Sequence, residues 1–200
     1  MPTVALRVLV DHCDRELDTA SFGDWDGAVN GLQVENRGEV RRIAAEAAKG
    51  APQDKPGRAE ALRRFVYDFI TEKDLTVGFA NASEIVRTRR GDCSEHAVLL
   101  ATLLRSEGIP SRVACGLIYA DEFAGARDIF GYHMWAQALL EVNGKPTWVD
   151  LDGTLPPRVS FDATHIALGV SSLADGQSQD ALIAIATVIG RLQLKVESIE

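Results

Sequence analysis

Apolar residues return at helical intervals through the first half of the chain and at alternate positions later. Ala61, Leu62, Phe65, Val66, Phe69 and Ile70 recur at helical spacing, which predicts an amphipathic helix over 58–73. A further helix is expected over 39–49. Beyond Asp92, the run Ala97-Val98-Leu99-Leu100-Ala101 and the pair Leu103-Leu104 are apolar almost all round. That pattern marks a helix buried in the core, and Gly108-Ile109-Pro110 should end it. Val, Ile and Leu then crowd 112–119, as in a central strand. Strands over 133–142 and 147–151 flank Asn143-Gly144, a strong signal for a two-residue hairpin. Later, 179–190 reads as helix, and Leu192, Leu194 and Val196 alternate like a strand. Helices followed by antiparallel strands predict an α+β architecture.

Gly, Pro and charge concentrate in GAPQDKPG at 50–57, which reads as a linker or exposed loop. It separates an N-terminal appendage, 1–49, from a main domain over 58–200. With 46% apolar residues the chain can bury a core. Its net charge of −8 speaks against nucleic-acid binding, which needs a basic patch. The longest apolar runs, such as ALIAI at 181–185, are far too short to span a bilayer. The opening MPTVALRVLVDHCDRE has neither a basic leader nor an apolar stretch with a cleavage site, so a cytoplasmic protein without membrane partners is expected. Cys13, Cys93 and Cys115 make an odd count without a C-x-x-C pair. That argues against a disulfide framework or structural zinc and leaves room for a reactive thiol.

The candidate chemistry begins at Arg90-Gly91-Asp92-Cys93-Ser94-Glu95-His96. Asp92 is a good helix N-cap, and Glu95 three residues on completes a capping box. Cys93 then falls in the first turn of a buried helix, where the helix dipole favours thiolate and free N–H groups can hold an oxyanion. With a histidine in reach, such a site can lower a thiol pKa from about 8.5 to roughly 4–7. Gly91 permits close approach of backbone or substrate. Forty residues on, Gly131-Tyr132-His133-Met134-Trp135 opens a strand whose alternation puts His133, Trp135 and Gln137 on one face. A histidine there can take a proton from the thiol and return it to a leaving amine. The hairpinned strand carries Trp148-Val149-Asp150-Leu151-Asp152-Gly153-Thr154, and a carboxylate opposite the imidazole would fix its tautomer. Asp150 and Asp152 share a face, so alternation alone does not choose between them. Asp152, eight residues past the turn where His133 lies ten before it, is nearer in register.

G-D-C at the start of an apolar helix, then G-I-P-S-R-V, H-x-W and W-x-x-x-D-x-T, resembles the transglutaminase-like superfamily from about Ala82 to Leu155. A looser likeness continues through D-A-T-H-I to the chain end. The resemblance implies a papain-like core of helix packed on antiparallel sheet and a triad of Cys93, His133 and Asp152. It also implies acyl transfer on peptide or protein amides through a thioester, with no metal or cofactor. Members cross-link glutamine to amines, hydrolyse amides or are inactive, and hydrolysis is the favoured expectation here. Gly153 stands where the family more often has proline, which should loosen the turn after the acid.

Asp92, His96 and Trp135 are the expected site-lining residues, with Trp135 equally suited to core packing. His165 is expected to be structural and Cys115 inert. Two other readings compete: a silent peptide-binding or scaffolding module, and a metal site built from Cys93, His96, His133 and Asp152. Residues 6–45, through Asp24-Trp25-Asp26-Gly27 and Asn30-Gly31-Leu32-Gln33, resemble the opening of a dinuclear-metal family labelled GTP cyclohydrolase I type 2. The histidine pairs that bind metal in that family have no counterpart here, so no metal site is carried over.

Overall fold

The computed structural model describes residues 38–74, 80–123 and 125–173. Residues 6–37 of the segment resembling the dinuclear-metal family, Cys13, and the elements expected over 179–190 and 192–196 lie outside the described residues.

Among the described residues, four helices precede the main sheet: α1 Gly38–Ala47, α2 Lys55–Phe69, α3 Ala82–Thr88 and α4 Cys93–Ser106. Between them run two short strands, β1 Glu72–Lys73 and β2 Arg90–Gly91, paired in parallel. Then follow β3 Ser111–Phe123, β4 Ala126–Val142, β5 Lys145–Leu151 and β6 His165–Ser171. These four form one antiparallel sheet in the order β5-β4-β3-β6. The architecture is α+β, as expected.

Several boundaries move for identifiable reasons. α2 starts at Lys55, inside the expected linker, because Asp54 caps it by accepting from Gly57 N at 2.7 Å and Pro56 fits the first turn. It ends at Phe69, where Ile70 turns to extended geometry. β4 begins at Ala126, so His133 lies mid-strand rather than at a strand's start. The turn is as expected: Asn143 and Gly144 have φ of 53° and 73°, the left-handed pair a type I′ hairpin requires.

α4 is buried from Ser94 to Leu104 and packs on β3 and β4. On β4 the even positions Met134, Ala136, Ala138 and Leu140 join the core cluster, and Val113 and Cys115 do so from β3. α1 belongs to that same core. Its Val40, Ile43 and Ala44 are buried, and it packs against α2, α3 and α4. The helix expected to serve either neighbour packs with the helices of the main domain. Arg63 on α2, only 4% exposed, donates to the carbonyls of Asp152, Leu155 and Pro157 and pairs with Glu60. It clamps the chain leaving β5.

Candidate active site

Asp92 Oδ1 accepts from Ser94 N at 2.8 Å, and Glu95 Oε2 accepts from Asp92 N at 3.0 Å, so the capping box forms. The second Glu95 oxygen accepts from Ala80 N at 2.9 Å, tying the cap to the chain before α3. Gly91 permits this. Its φ is 152°, and a Cβ there would stand 2.3 Å from Glu95 Cβ. The close approach expected at Gly91 is thus made by Glu95.

Cys93 follows the cap, and its thiol sulfur accepts a hydrogen bond from the backbone N–H of Met134 on β4. Its acidity runs opposite to the expectation. Burial, then the Asp92 carboxylate, push the thiol up to about 12, more than offsetting the Met134 bond. Burial is the larger cause, and the cap that starts the helix adds to it by setting carboxylates beside the sulfur. The cap also occupies the Ser94 N–H, leaving fewer donors for an oxyanion than a bare helix start would offer.

His133 Nε2 donates to Asp152 Oδ2 at 2.7 Å. The acid's other oxygen accepts from Thr154 N and Thr154 Oγ1, both at 2.7 Å. Burial alone would raise the Asp152 carboxyl, but hydrogen bonds from His133 and His165 hold it well below the usual range. Asp152 is therefore ionised and accepts from His133 Nε2–H, and the tautomer with its proton on Nε2 leaves Nδ1 as an acceptor. Asp150 is engaged elsewhere. Its Oδ1 accepts from Trp135 Nε1 at 2.7 Å and from Gln137 Nε2 at 2.6 Å.

His165, expected to be structural, stands beside the acid. Its Nε2 lies 3.2 Å from the same Asp152 Oδ2, and its ring stacks on Phe161 with centroids 4.0 Å apart. The only hint in the sequence was D-A-T-H-I. Gly116 on β3 makes room for this neighbour, since a Cβ there would lie 2.0 Å from the Ile166 carbonyl oxygen. Trp135, 1% exposed, packs beside both imidazoles, stacked on His133 and edge-on to His165. It supports the rings from behind and does not line the cavity. Gly153 does not loosen its turn, because Arg63 holds the carbonyls around it and a Cβ there would press on Val66 at 3.1 Å.

A cleft of about 480 Å³ joins Cys93 and His133, with Tyr67, Lys73, Ile118 and Tyr132 among its walls. Asp92 and His96 are also among its walls. His96 Nδ1 donates to the Asp92 carbonyl at 2.5 Å, and Nε2 accepts from Lys73 Nζ at 2.6 Å, a partner the sequence did not suggest. Burial pushes His96 down to about 4, so it is neutral and both ring nitrogens are engaged. The metal set of Cys93, His96, His133 and Asp152 therefore does not assemble. Cys115 is 2% exposed, and burial lifts its thiol to about 11, which suits an inert core cysteine.

A buried helix bearing Cys93 at its start, packed on an antiparallel sheet bearing His133, defines the papain-like type of α+β protein. The transglutaminase-like superfamily matches residues 41–153, and the chain belongs to that superfamily. The matched stretch holds Cys93, His133 and Asp152. Among solved structures, a candidate cysteine protease from Cytophaga hutchinsonii is similar at a TM-score of 0.52 and 18% identity, over 84% of this chain and 54% of that one. The periplasmic domain of TgpA from Pseudomonas aeruginosa, bound to ethylmercury, aligns at 0.44 and 24% identity, over 62% of this chain and 46% of that one. A TGase aligns at 0.46 and 13% identity, over 76% and 39%. The chain spans about half the length of the first two. No curated protein matches it. Among the described residues, no helix is long and apolar enough to cross a membrane.

Proposed function

We propose that this domain is a cysteine-dependent acyl-transfer enzyme acting on peptide or protein amides. The observation that carries the reading is the 2.7 Å bond between His133 Nε2 and Asp152 Oδ2 on the cleft that also holds Cys93. His133 Nδ1 takes the Cys93 proton as sulfur attacks the amide carbonyl, and an S–C bond forms. The same proton passes to the departing amine as the C–N bond breaks, leaving a thioester on Cys93. Water or a second amine then resolves it, and hydrolysis is the favoured outcome. A thiol pushed up to about 12 makes a standing thiolate–imidazolium pair unfavourable, so proton transfer accompanies attack, as in serine-type triads.

The raised thiol is also the one observation that favours a silent peptide-binding module. An electrophilic glutamine-peptide probe separates the two readings. Acyl transfer requires labelling at Cys93 that Cys93→Ser abolishes, followed by release with water or a primary amine. A folded protein that binds the peptide but never labels Cys93 is a scaffold. The cytoplasmic setting is part of the same proposal, checked by cell fractionation.

A further inference from the structure

We infer that His133, His165 and Asp152 form a binding site for a zinc-class divalent cation, and that occupancy switches the proposed chemistry off. The second half of this inference rests on the acyl-transfer reading above, whereas the binding site stands on geometry alone.

Two imidazole nitrogens, His133 Nε2 and His165 Nε2, converge on one oxygen, Asp152 Oδ2, at 2.7 Å and 3.2 Å. All three donor atoms lie within 4.8 Å of one another. Two histidines and a carboxylate make a donor set that zinc accepts, with a fourth position left for water. The donors are also preorganised. His165 is clamped between Phe161 and Trp135, and its Nδ1 faces Thr164 Oγ1 at 3.3 Å and Asp162 Oδ1 at 3.8 Å. A carboxylate behind a ligating histidine is the usual outer-shell partner. Asp152 is held through its other oxygen by Thr154, which leaves Oδ2 directed at the two rings. The cleft reaches His133 and Thr154, next to the buried Asp152 and His165.

Binding and general-base chemistry exclude each other at His133. In the resting state Nε2 carries the proton and Nδ1 is the acceptor. A cation on Nε2 displaces that proton, and the neutral ring then bears its hydrogen on Nδ1. In that tautomer His133 has no lone pair for the Cys93 proton, and Asp152 no longer orients it.

The test is titration of the full chain with Co²⁺, and with Zn²⁺ against a chromophoric chelator, so that binding is read from the metal and not from activity. One equivalent should bind, and the cobalt spectrum should show d–d bands without a thiolate charge-transfer band. Cys93→Ser and His96→Ala should bind as tightly as wild type. His165→Ala and the bulkier His165→Gln should each weaken binding by about a hundredfold or more, since even outer-shell partners are worth about 10–100-fold. The unfolding transition of the His165→Gln protein checks that its fold is retained. No saturable binding, or binding that survives both His165 changes and is lost in Cys93→Ser, overturns the site. Zinc at saturation should also slow probe labelling of wild-type Cys93 at least tenfold. If zinc binds through His165 yet labelling is unchanged, the site stands and the switch is overturned. If Cys93 never labels even without metal, the acyl-transfer reading fails while the binding result is untouched.

Discussion

His133 donates to Asp152 although the two are not ladder partners. The β4–β5 pairing ends at Ala136 opposite Leu151, and Asp152 is the first residue past it. Asp150, still on the ladder opposite Gln137, is bonded to Trp135 and Gln137 instead. The two carboxylates therefore have separate tasks. Asp152→Asn should cut probe labelling of Cys93 by orders of magnitude, since loss of the acid in a serine-protease triad costs about 10⁴ through the wrong histidine tautomer. Asp150→Asn keeps an oxygen for its two donors and should change labelling little. A crippled Asp150→Asn with normal Asp152→Asn would reverse the assignment.

The acidity of Cys93 makes a prediction about pH. With the folded thiol pushed up to about 12, it stays protonated across the neutral range. Iodoacetamide should modify Cys93 more slowly than a free thiol at pH 6, with a rate still climbing past about pH 8.5, where a free thiol levels off, and with no acidic plateau. A plateau beginning between pH 4 and 7 would reveal a standing ion pair. Stability follows the same sign: a folded pKa raised above the unfolded value contributes fully below about pH 8.5 and is lost as pH climbs toward 12.

The same residues show what was legible in the sequence. The cap of α4 was readable because Asp92 and Glu95 act within one turn, and the Asn143-Gly144 turn because φ chemistry is local. The pair His133–Asp152 followed from motif spacing and hairpin register. The contact of His165 with Asp152 is not legible locally, because it depends on β6 pairing with β3 beside Gly116. The direction of the thiol's shift was missed, since the dipole favours thiolate while burial and the cap's carboxylates oppose it more strongly.

The N-terminal boundary can be tested by truncation. Removing residues 1–37 should leave a cooperative unfolding transition, because the described core starts with α1. Removing 1–49 takes away buried Val40, Ile43 and Ala44 and should abolish or severely lower it. Burying a Val or Ile side chain contributes about 1.5–3 kcal/mol, and Ile43→Ala alone should cost about 2–5 kcal/mol. Loss of the transition on removing only 1–37 would show that the earlier segment belongs to the core.

Arg63 offers a test of how the acid is held. Its guanidinium donates to Leu155 O at 2.9 Å and to Asp152 O and Pro157 O at 3.3 Å, while Glu60 accepts from Nε at 2.8 Å. One planar fork thus fixes the backbone on both sides of Gly153, and with it the direction of the Asp152 side chain. Arg63→Ala strands the buried Asp152 carbonyl, worth about 1–3 kcal/mol, leaves the part-buried Leu155 and Pro157 carbonyls to water, and opens a gap beside the chain. Glu60 is partly solvated and recovers water, so the expected loss in denaturant unfolding is about 2–4 kcal/mol rather than the full sum. Labelling of Cys93 should fall with it, because Asp152 loses its fixed approach to His133. Arg63→Lys keeps the charge but not the fork and should recover little of either quantity. If lysine restores stability and labelling, the charge alone is what matters and the clamp has no role in placing the acid.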